Sequence, residues 1–355
     1  ILAAWTRFHG PLTHEFSEAT SQDKLLIELI AYFMQRGHFD PKDISDDFSE
    51  DLHETFLEML DCQKRYFLKK DIAQFDRYKY ALDDEFRALQ TSFFDLVYTR
   101  YLERRNETKS FYLEILAKPF DFNKKEEINV DYENQQYPST LRSKVEKWRK
   151  QLKLSTLNIL HSKLEEEEKL AAKDESYVPK TFEVLEKEAR EITKENMENY
   201  FSLMEDVREE DWFGSYLNAF VTQFDPHSVY FAPVDKDRFD ASMSGKYEGI
   251  GARLTKRNQA IKIVDVISGG PIWRDQSIEV GDQIMMVRQE EGDPVDVQSM
   301  RLDDAIKLIK GPAGTTVYLT LKRVDGTIEE VAIKRDTVEL EESYLKSSLI
   351  QKGGR

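Results

Sequence analysis

Cysteine is nearly absent from this sequence, in which Cys62 is the only one. A single thiol excludes a disulfide within the chain and a metal site built from several cysteines. Long apolar runs are absent as well. The longest uncharged stretch runs only from Trp212 to Phe224 and includes polar residues, so the sequence predicts no membrane-spanning segment.

Basic residues are in deficit, since 51 lysines and arginines face 67 acidic residues and the net charge is −16. Such a charge argues against a general nucleic-acid binder, because the phosphate backbone is itself anionic. The chain has 355 residues, of which 40% are apolar and 12% aromatic. That composition can fill packed cores, and the length fits two or three domains.

Glycine is scarce in the first two thirds of the chain. Of 15 glycines, only Gly10, Gly37 and Gly214 precede residue 240, whereas ten lie between Gly245 and Gly326. Glycine supplies the positive φ angles of tight turns. We therefore expect a mostly helical region, followed from about residue 240 by a compact domain of short strands.

Helical periodicity runs through the first region. Apolar residues recur there at steps of three and four, which indicates helices that pack on their neighbours. The first predicted helix has its N-cap at Ser21 and stops at Gly37. Further helices are predicted over residues 51–60, about 71–101 and 139–162, and another begins after Pro179.

Strands and turns alternate in the second region. The predicted strands are residues 247–254, 260–266, 283–288, 315–322 and 328–335, mostly separated by glycine or Asp-Gly turns. One amphipathic helix, from about Ser299 to Ile309, interrupts them. Short strands around one or two helices predict a small, partly open β-barrel, so the fold class is α+β and multidomain.

Catalytic signatures are mostly missing. The six histidines include none with the spacing of a zincin helix. Gly249-Ile250-Gly251 opens like a dinucleotide fingerprint, but Leu254 stands where the third glycine belongs. Asp225-Pro226-His227-Ser228 holds the residue types of a serine-hydrolase triad, yet they are nearly adjacent, which favours a turn. We predict no catalytic residue, no metal site and no cofactor in this sequence.

The segment that enters the first predicted strand suggests a binding site. A glycine-flanked turn exposes consecutive backbone N–H groups, and such a nest binds a carboxylate without a charged side chain. If the strand lies at a sheet edge, a peptide ending in that carboxylate can add as a further strand. The candidate peptide-binding residues are Gly249, Ile250, Gly251, Ala252, Arg253 and Leu254 in the turn and strand, and Leu302, Ala305, Ile306 and Ile309 on the helix.

Each of these features has a commoner explanation by itself. Gly-x-Gly occurs in many tight turns, and an apolar helix face usually covers a core. Their order is what describes a PDZ domain: the glycine turn and strand come first, then Gly269-Gly270-Pro271, Val280-Gly281-Asp282, the helix, and Gly311-Pro312.

With these motifs the sequence resembles the tail-specific, or carboxy-terminal processing, proteases of bacteria. The order of motifs from about residue 60 to 350 is similar to that of the long, periplasmic type. The resemblance rests on the motifs above and on Leu60-Asp61, Tyr66-Phe67, Asp71-Ile72, the segment from Phe224 to Pro233, the turn from Tyr247 to Ala252, and the helix from Arg301 to Pro312.

The resemblance implies three regions: a helical N-terminal domain over residues 1–235, a PDZ domain over 236–337, and a linker with the first strand of a protease core over 338–355. In the family the catalytic serine and lysine lie in that core, and no serine or lysine of this sequence matches their motif. We therefore expect an N-terminal fragment of a periplasmic serine endopeptidase, and expect the fragment to be inactive by itself.

Three functional hypotheses follow. The first is a substrate-recognition module that binds C-terminal tails of protein substrates, with a helical domain on which an adaptor protein can dock and no nucleic-acid partner. The segment from Asp336 to Glu342 would then transmit movements of the PDZ domain to the core. The alternatives are a PDZ adaptor without enzymatic activity and a periplasmic holdase whose helical region binds unfolded chains.

Overall fold

The computed structural model of the protein describes residues 21–257 and 259–340. The chain divides into two compact units. Residues up to 201 together with 207–230 make the first, and residues 202–206 together with those from 231 onward make the second. Within the described ranges, no helix has both the length and the apolar character needed to cross a membrane.

The first unit is built from helices. Helices α1, α2, α6 and α7 confirm predicted ones, and α2 and α6 extend further than the periodicity indicated. The helices are α1 (Ser21–Arg36), α2 (Asp46–Asp61), α3 (Lys69–Phe75), α4 (Leu82–Ala88), α5 (Ser92–Leu116), α6 (Leu141–Lys173), α7 (Phe182–Asp206, whose last turn belongs to the second unit) and α8 (Glu209–Thr222).

Aromatic side chains fill the core of the first unit. The rings of Phe86 and Phe220 stack with centroids 4.2 Å apart, and Tyr216 meets Phe56 edge-on at 4.9 Å. Such ring pairs contribute about 0.5–1.5 kcal/mol each beyond the area that they bury. Tyr216 and Phe220 belong to α8, so the longest uncharged stretch of the sequence is a helix buried in this core.

The single helix predicted over residues 71–101 is wrong. The structure divides this segment into α3, a 3-10 turn at Asp76–Tyr78, α4 and the start of α5. Leu89 ends α4 in a left-handed conformation with φ 54°, and Ser49 of α2 holds the start of α4 through hydrogen bonds of 3.0 and 2.9 Å with Asp83. Glycine usually marks a left-handed helix end, so a leucine there gave no signal in the sequence.

The second unit contains an antiparallel sheet. The sheet order is β2-β3-β4-β6-β7, with β5 paired to β4, and β1 and β8 form a separate two-stranded ladder. Among the described strands, β2 is therefore at the edge of the sheet, as the peptide-binding hypothesis requires. The strands are β1 (Lys246–Gly249), β2 (Ala252–Arg257), β3 (Ala260–Val266), β4 (Gln283–Gln289), β5 (Val295–Asp296), β6 (Thr316–Lys322), β7 (Ile328–Lys334) and β8 (Asp336–Glu339).

In the part of this unit that the structure describes, three helices accompany the strands: α9 (Pro233–Ser244), α10 (Pro271–Asp275) and α11 (Leu302–Ile309). The strands and α11 enclose one apolar core, and the α+β fold class is confirmed. Among the core residues are Ile261, Ile263, Ile284, Val287, Ala305, Val317 and Leu319.

The predicted strand over residues 247–254 is in fact two strands. β1 pairs with β8 and β2 with β3, because Ile250 and Gly251 turn the chain between them. The domain boundaries expected at residues 235 and 337 fall inside α9 and β8. Residues 341–355, where the first strand of a protease core is predicted, lie outside the described residues.

Candidate functional site

The turn between β1 and β2 requires glycine at position 251. Gly251 has φ +80°, a conformation that side-chain-bearing residues rarely adopt. A Cβ there would also lie 3.1 Å from the Cα of Gly270 and 3.3 Å from the Cδ of Pro271. The two glycines therefore let two backbone segments touch, which explains why Gly-x-Gly and Gly-Gly-Pro occur in the same domain.

The carbonyl groups of this turn hold it in place. The Ile267 N–H donates to the Gly251 carbonyl at 2.9 Å, and the Ile272 N–H donates to the Ile250 carbonyl at 3.1 Å. The N–H groups of Ile250 and Gly251, by contrast, take part in no backbone hydrogen bond between described residues. The turn thus offers two donors that the fold itself does not use.

Ala252 adds a third donor. It lies opposite Val266 in the β2–β3 ladder, and the bond from the Ile267 N–H to the Gly251 carbonyl identifies the two as a non-hydrogen-bonded pair. Residues of such a pair direct their N–H and C=O groups away from each other. The Ala252 N–H therefore points to the open edge of the sheet, next to the two donors of the turn.

A cavity of about 650 Å³ adjoins this edge, between β2, α9 and α11. Its volume is in the range of sites that hold small ligands or a few side chains. Six of the ten candidate residues line it: Ile250, Ala252, Arg253, Leu254, Ile306 and Ile309.

The other four candidate residues do not line the cavity. Gly249 and Gly251 shape the turn beside it. Leu302 is partly buried against the apolar core, and Ala305 lies fully buried within that core. Ala305 therefore helps to position α11 but offers no surface to a ligand.

Helix α9 is a wall of the cavity that the sequence analysis missed. It contributes Val234 and Arg238, and Arg238 forms an ion pair with Asp303 of α11. Pro233 in the first turn and the left-handed Gly245 after the last residue are signals that could have located this helix. Neither signal says which surface the helix covers.

Further lining residues also went unpredicted. They belong to α9, to β1, to the segment after β3, to α11 and the residues after it, and to the residue after β8. The further lining residues are Asp237, Tyr247, Ile267, Asp303, Lys307, Lys310, Gly311 and Leu340. Burial raises the pKa of Tyr247 to about 12, so its phenol is neutral at physiological pH.

The C-terminal end of α11 is fixed by Arg335. Its buried guanidinium donates to the carbonyls of Ile309 at 2.8 Å and Leu308 at 2.9 Å, and to the side-chain oxygen of Gln289 at 2.7 Å. A cation here satisfies carbonyls that a helix end leaves without partners and complements the helix dipole. Arg335 thereby holds in place the helix that carries Ile306 and Ile309.

Asp225, His227 and Ser228 form a turn in the first unit. The His227 N–H donates to Asp225 Oδ1 at 2.7 Å, and the Ser228 hydroxyl donates to Asp225 Oδ2. Nε2 of His38 lies 3.2 Å from Asp225 Oδ2 and 3.3 Å from Ser228 Oγ. A Ser-His-Asp triad needs one ring nitrogen for the serine and the other for the acid, so this arrangement is no triad.

The contact of His38 with this turn makes stability depend on pH. The Asp40 backbone and the Asp225 carboxylate raise the pKa of His38 above 6.5. Stabilisation from a raised histidine pKa is complete below the unfolded-state value and is lost as the pH rises through the folded-state value. We expect His38→Gln to lower the Tm more at about pH 5.5 than at about pH 8.5, as measured by circular dichroism. Equal losses at both pH values would contradict this assignment.

The structure describes no group of three or more histidine, cysteine, aspartate or glutamate side chains arranged to hold a metal ion. That statement covers the two described ranges of the chain.

Family comparisons agree with this architecture. A family model described as the tail specific protease N-terminal domain matches residues 30–234, and a model of the PDZ domain matches residues 240–322. The predicted order, a helical N-terminal region followed by a PDZ domain, is confirmed.

Two relatives are longer than this chain, which spans less than half the length of each. A tail-specific protease of Haemophilus influenzae is 27% identical over 324 residues, which cover 91% of this chain and 44% of the relative. The carboxy-terminal processing protease CtpA of Bacillus subtilis is 35% identical over 120 residues, 34% of this chain and 24% of the relative. This chain is also similar to the PDZ domain of a carboxy-terminal protease from Vibrio cholerae, whose crystal structure is in complex with peptide. The two sequences are 39% identical, and the match covers 27% of this chain and 99% of the Vibrio chain, with a TM-score of 0.26.

Proposed function

This chain belongs to the tail-specific protease family, and on that premise we propose that its PDZ domain binds the C-terminal tails of protein substrates for cleavage by a serine endopeptidase. The observation that carries the proposal is the open edge of β2, where three consecutive N–H groups adjoin a largely apolar cavity. That combination suits a ligand with a terminal carboxylate and an apolar last side chain.

The tail would bind as an additional antiparallel strand. Its carboxylate would accept hydrogen bonds from the N–H groups of Ile250, Gly251 and Ala252, and its backbone would pair with β2 as far as Leu254. The last side chain would lie in the cavity beside Ile306. The binding energy would come from main-chain hydrogen bonds and apolar burial, so the site would read the end of a chain and little of its sequence.

Hydrolysis would be performed by a Ser-Lys pair of the complete protein, with a neutral lysine of lowered pKa as general base. The periplasm is the proposed compartment, and an adaptor protein docked on the helical unit is a proposed partner. The segment from Asp336 to Glu342 is the proposed connection to the catalytic core. Leu340 of that segment lines the cavity, so a bound tail would contact the connection directly.

Tail binding is tested with one peptide in two forms. A decapeptide that ends in valine is titrated into the chain as the free acid and as the C-terminal amide, by isothermal calorimetry. Hydrogen bonds to a charged group contribute about 1.5–3 kcal/mol, so we expect the free acid to bind roughly 10- to 100-fold more tightly. Equal affinities would contradict the proposal and favour the holdase.

The adaptor hypothesis predicts the same binding result and needs a second experiment. The complete protein, including whatever follows residue 355, is incubated with a substrate that ends in the same tail. Cleavage that a serine-directed inhibitor abolishes supports the protease. Tight binding of the tail without cleavage by the complete protein would favour the adaptor.

A further inference from the structure

The cavity and the open edge of β2 together form a groove for the tail. Lys310 lines this groove at the end where the terminal carboxylate would bind. It follows the last residue of α11, and its N–H donates to the Ile306 carbonyl at 2.8 Å, which fixes its backbone. A Cβ placed on Gly249 would lie 3.6 Å from Lys310 Cγ, so the lysine stem runs beside the glycine turn. The ammonium nitrogen is 4.9 Å from the centroid of the Tyr247 ring.

The ammonium of Lys310 forms no salt bridge with a carboxylate of the described residues. Neighbouring cations do: Lys307 pairs with Asp304 at 3.6 Å, and Arg238 pairs with Asp303. Arg238, Asp303 and Lys307 line the cavity together with Lys310. Among these four, Lys310 alone has no ion pair with a described residue, and its ammonium lies over the Tyr247 ring.

Burial and charge around Lys310 leave it ready for an anion. Burial lowers its pKa, Asp237 opposes that shift and Arg238 reinforces it. An acidic and a basic residue of α9 thus act on the pKa of Lys310 in opposite directions. Partial burial of a cation costs free energy unless a counter-charge is supplied, and the groove is where a ligand could supply it.

We propose that the Lys310 ammonium binds the terminal carboxylate of the tail, together with the N–H groups of Ile250, Gly251 and Ala252. This inference rests on the proposed function and makes it more specific. The sequence alone indicated a nest that needs no charged side chain, whereas the structure adds one cation at its rim. Lys310 would therefore set how strongly the site prefers a free chain end.

The inference is tested by exchanging the lysine and the carboxylate separately. The free-acid and amide peptides are each titrated into the wild-type chain and into Lys310→Met, which keeps most of the length of the side chain and removes its charge. We expect the variant to bind the free acid about 10- to 100-fold more weakly and the amide within about threefold of wild type. Lys310→Arg, which keeps the charge, should recover part of the loss.

Lys307→Met is the matched control. Lys307 lies one turn earlier on α11 and also lines the cavity, but it is mostly exposed and already paired with Asp304. Its replacement should leave the ratio of the two affinities unchanged. Thermal unfolding of each variant shows whether the domain remains folded.

The outcomes separate this inference from the proposed function. If wild type prefers the free acid and Lys310→Met keeps the full preference, Lys310 does not bind the carboxylate and the nest alone does. If Lys307→Met lowers the preference as much as Lys310→Met, only the general positive potential matters, and the inference is again overturned. If wild type does not distinguish the two peptides, the proposed function itself fails.

Discussion

Replacing Gly251 by alanine is expected to abolish tail binding and to destabilise the PDZ domain by roughly 2–4 kcal/mol. The turn holds residue 251 at φ +80°, and a Cβ makes that backbone conformation unfavourable. The same Cβ would lie only 3.1 Å from the Cα of Gly270. The closest contacts of the Cβ would be with the main chain of Gly270 and the ring and backbone of Pro271. No flexible side chain can therefore move away to make room. The turn must move, and its N–H groups move with it.

Gly269→Ala is the matched control for this prediction. Gly269 has nearly the same φ, +77°, but a Cβ there would meet nothing within 4 Å. It should therefore cost only about 1 kcal/mol and leave binding of the free-acid peptide nearly intact. Urea unfolding, followed through NMR signals of β3, gives the two losses of stability. Equal losses in the two variants would show that the close approach to Gly270 has no energetic weight.

Arg335→Met is expected to lower the stability of the same domain by about 2–4 kcal/mol and to weaken tail binding by more than tenfold. The variant removes buried hydrogen bonds to the carbonyls of Leu308 and Ile309 and the cation at the helix C-terminus. The end of α11 would loosen where Ile309 and Lys310 line the groove, so binding should suffer even in molecules that remain folded.

Arg288→Met controls for the loss of an arginine from the same domain. Arg288 lies over the ring of Tyr318 at 3.8 Å and pairs with Glu330 at 2.8 Å, at a more exposed position. It should cost little stability, because exposed ion pairs contribute little, and it should leave affinity unchanged. The measurements are urea unfolding and calorimetric titration of both variants. Retained affinity in folded Arg335→Met would show that α11 does not need this anchor for binding.

The central strands of the sheet and the binding turn could be predicted because their causes are local. β3 has its predicted bounds, since alternation of apolar residues reflects the two faces of a strand. Gly251 was identified from its place in Gly-x-Gly, and the structure adds the contact that makes it necessary, with Gly270. Such close approaches leave a glycine in the sequence but do not reveal the partner.

The rest of the groove depends on tertiary packing and left no usable pattern. Arg238 looks like any surface arginine until α9 is placed beside α11 and paired with Asp303. Ala305 was expected to line the groove because it shares a helix face with Ile306, yet it is buried in the core. One helix face can serve both a core and a groove, and periodicity does not divide it. Lys310 gives no signal in the sequence either, because only the structure shows that Lys307 and Arg238 are paired with acidic residues.

Binding of a terminal carboxylate by backbone N–H groups near residue 250 is tested most directly by NMR. The free-acid peptide is titrated into the deuterated, ¹⁵N-labelled chain, and the amide signals of Ile250, Gly251 and Ala252 are followed. New hydrogen bonds should shift all three signals downfield with the free acid, and much less with the amidated peptide. Saturated binding that leaves these three signals in place, or moves them equally for both peptides, would contradict the central claim.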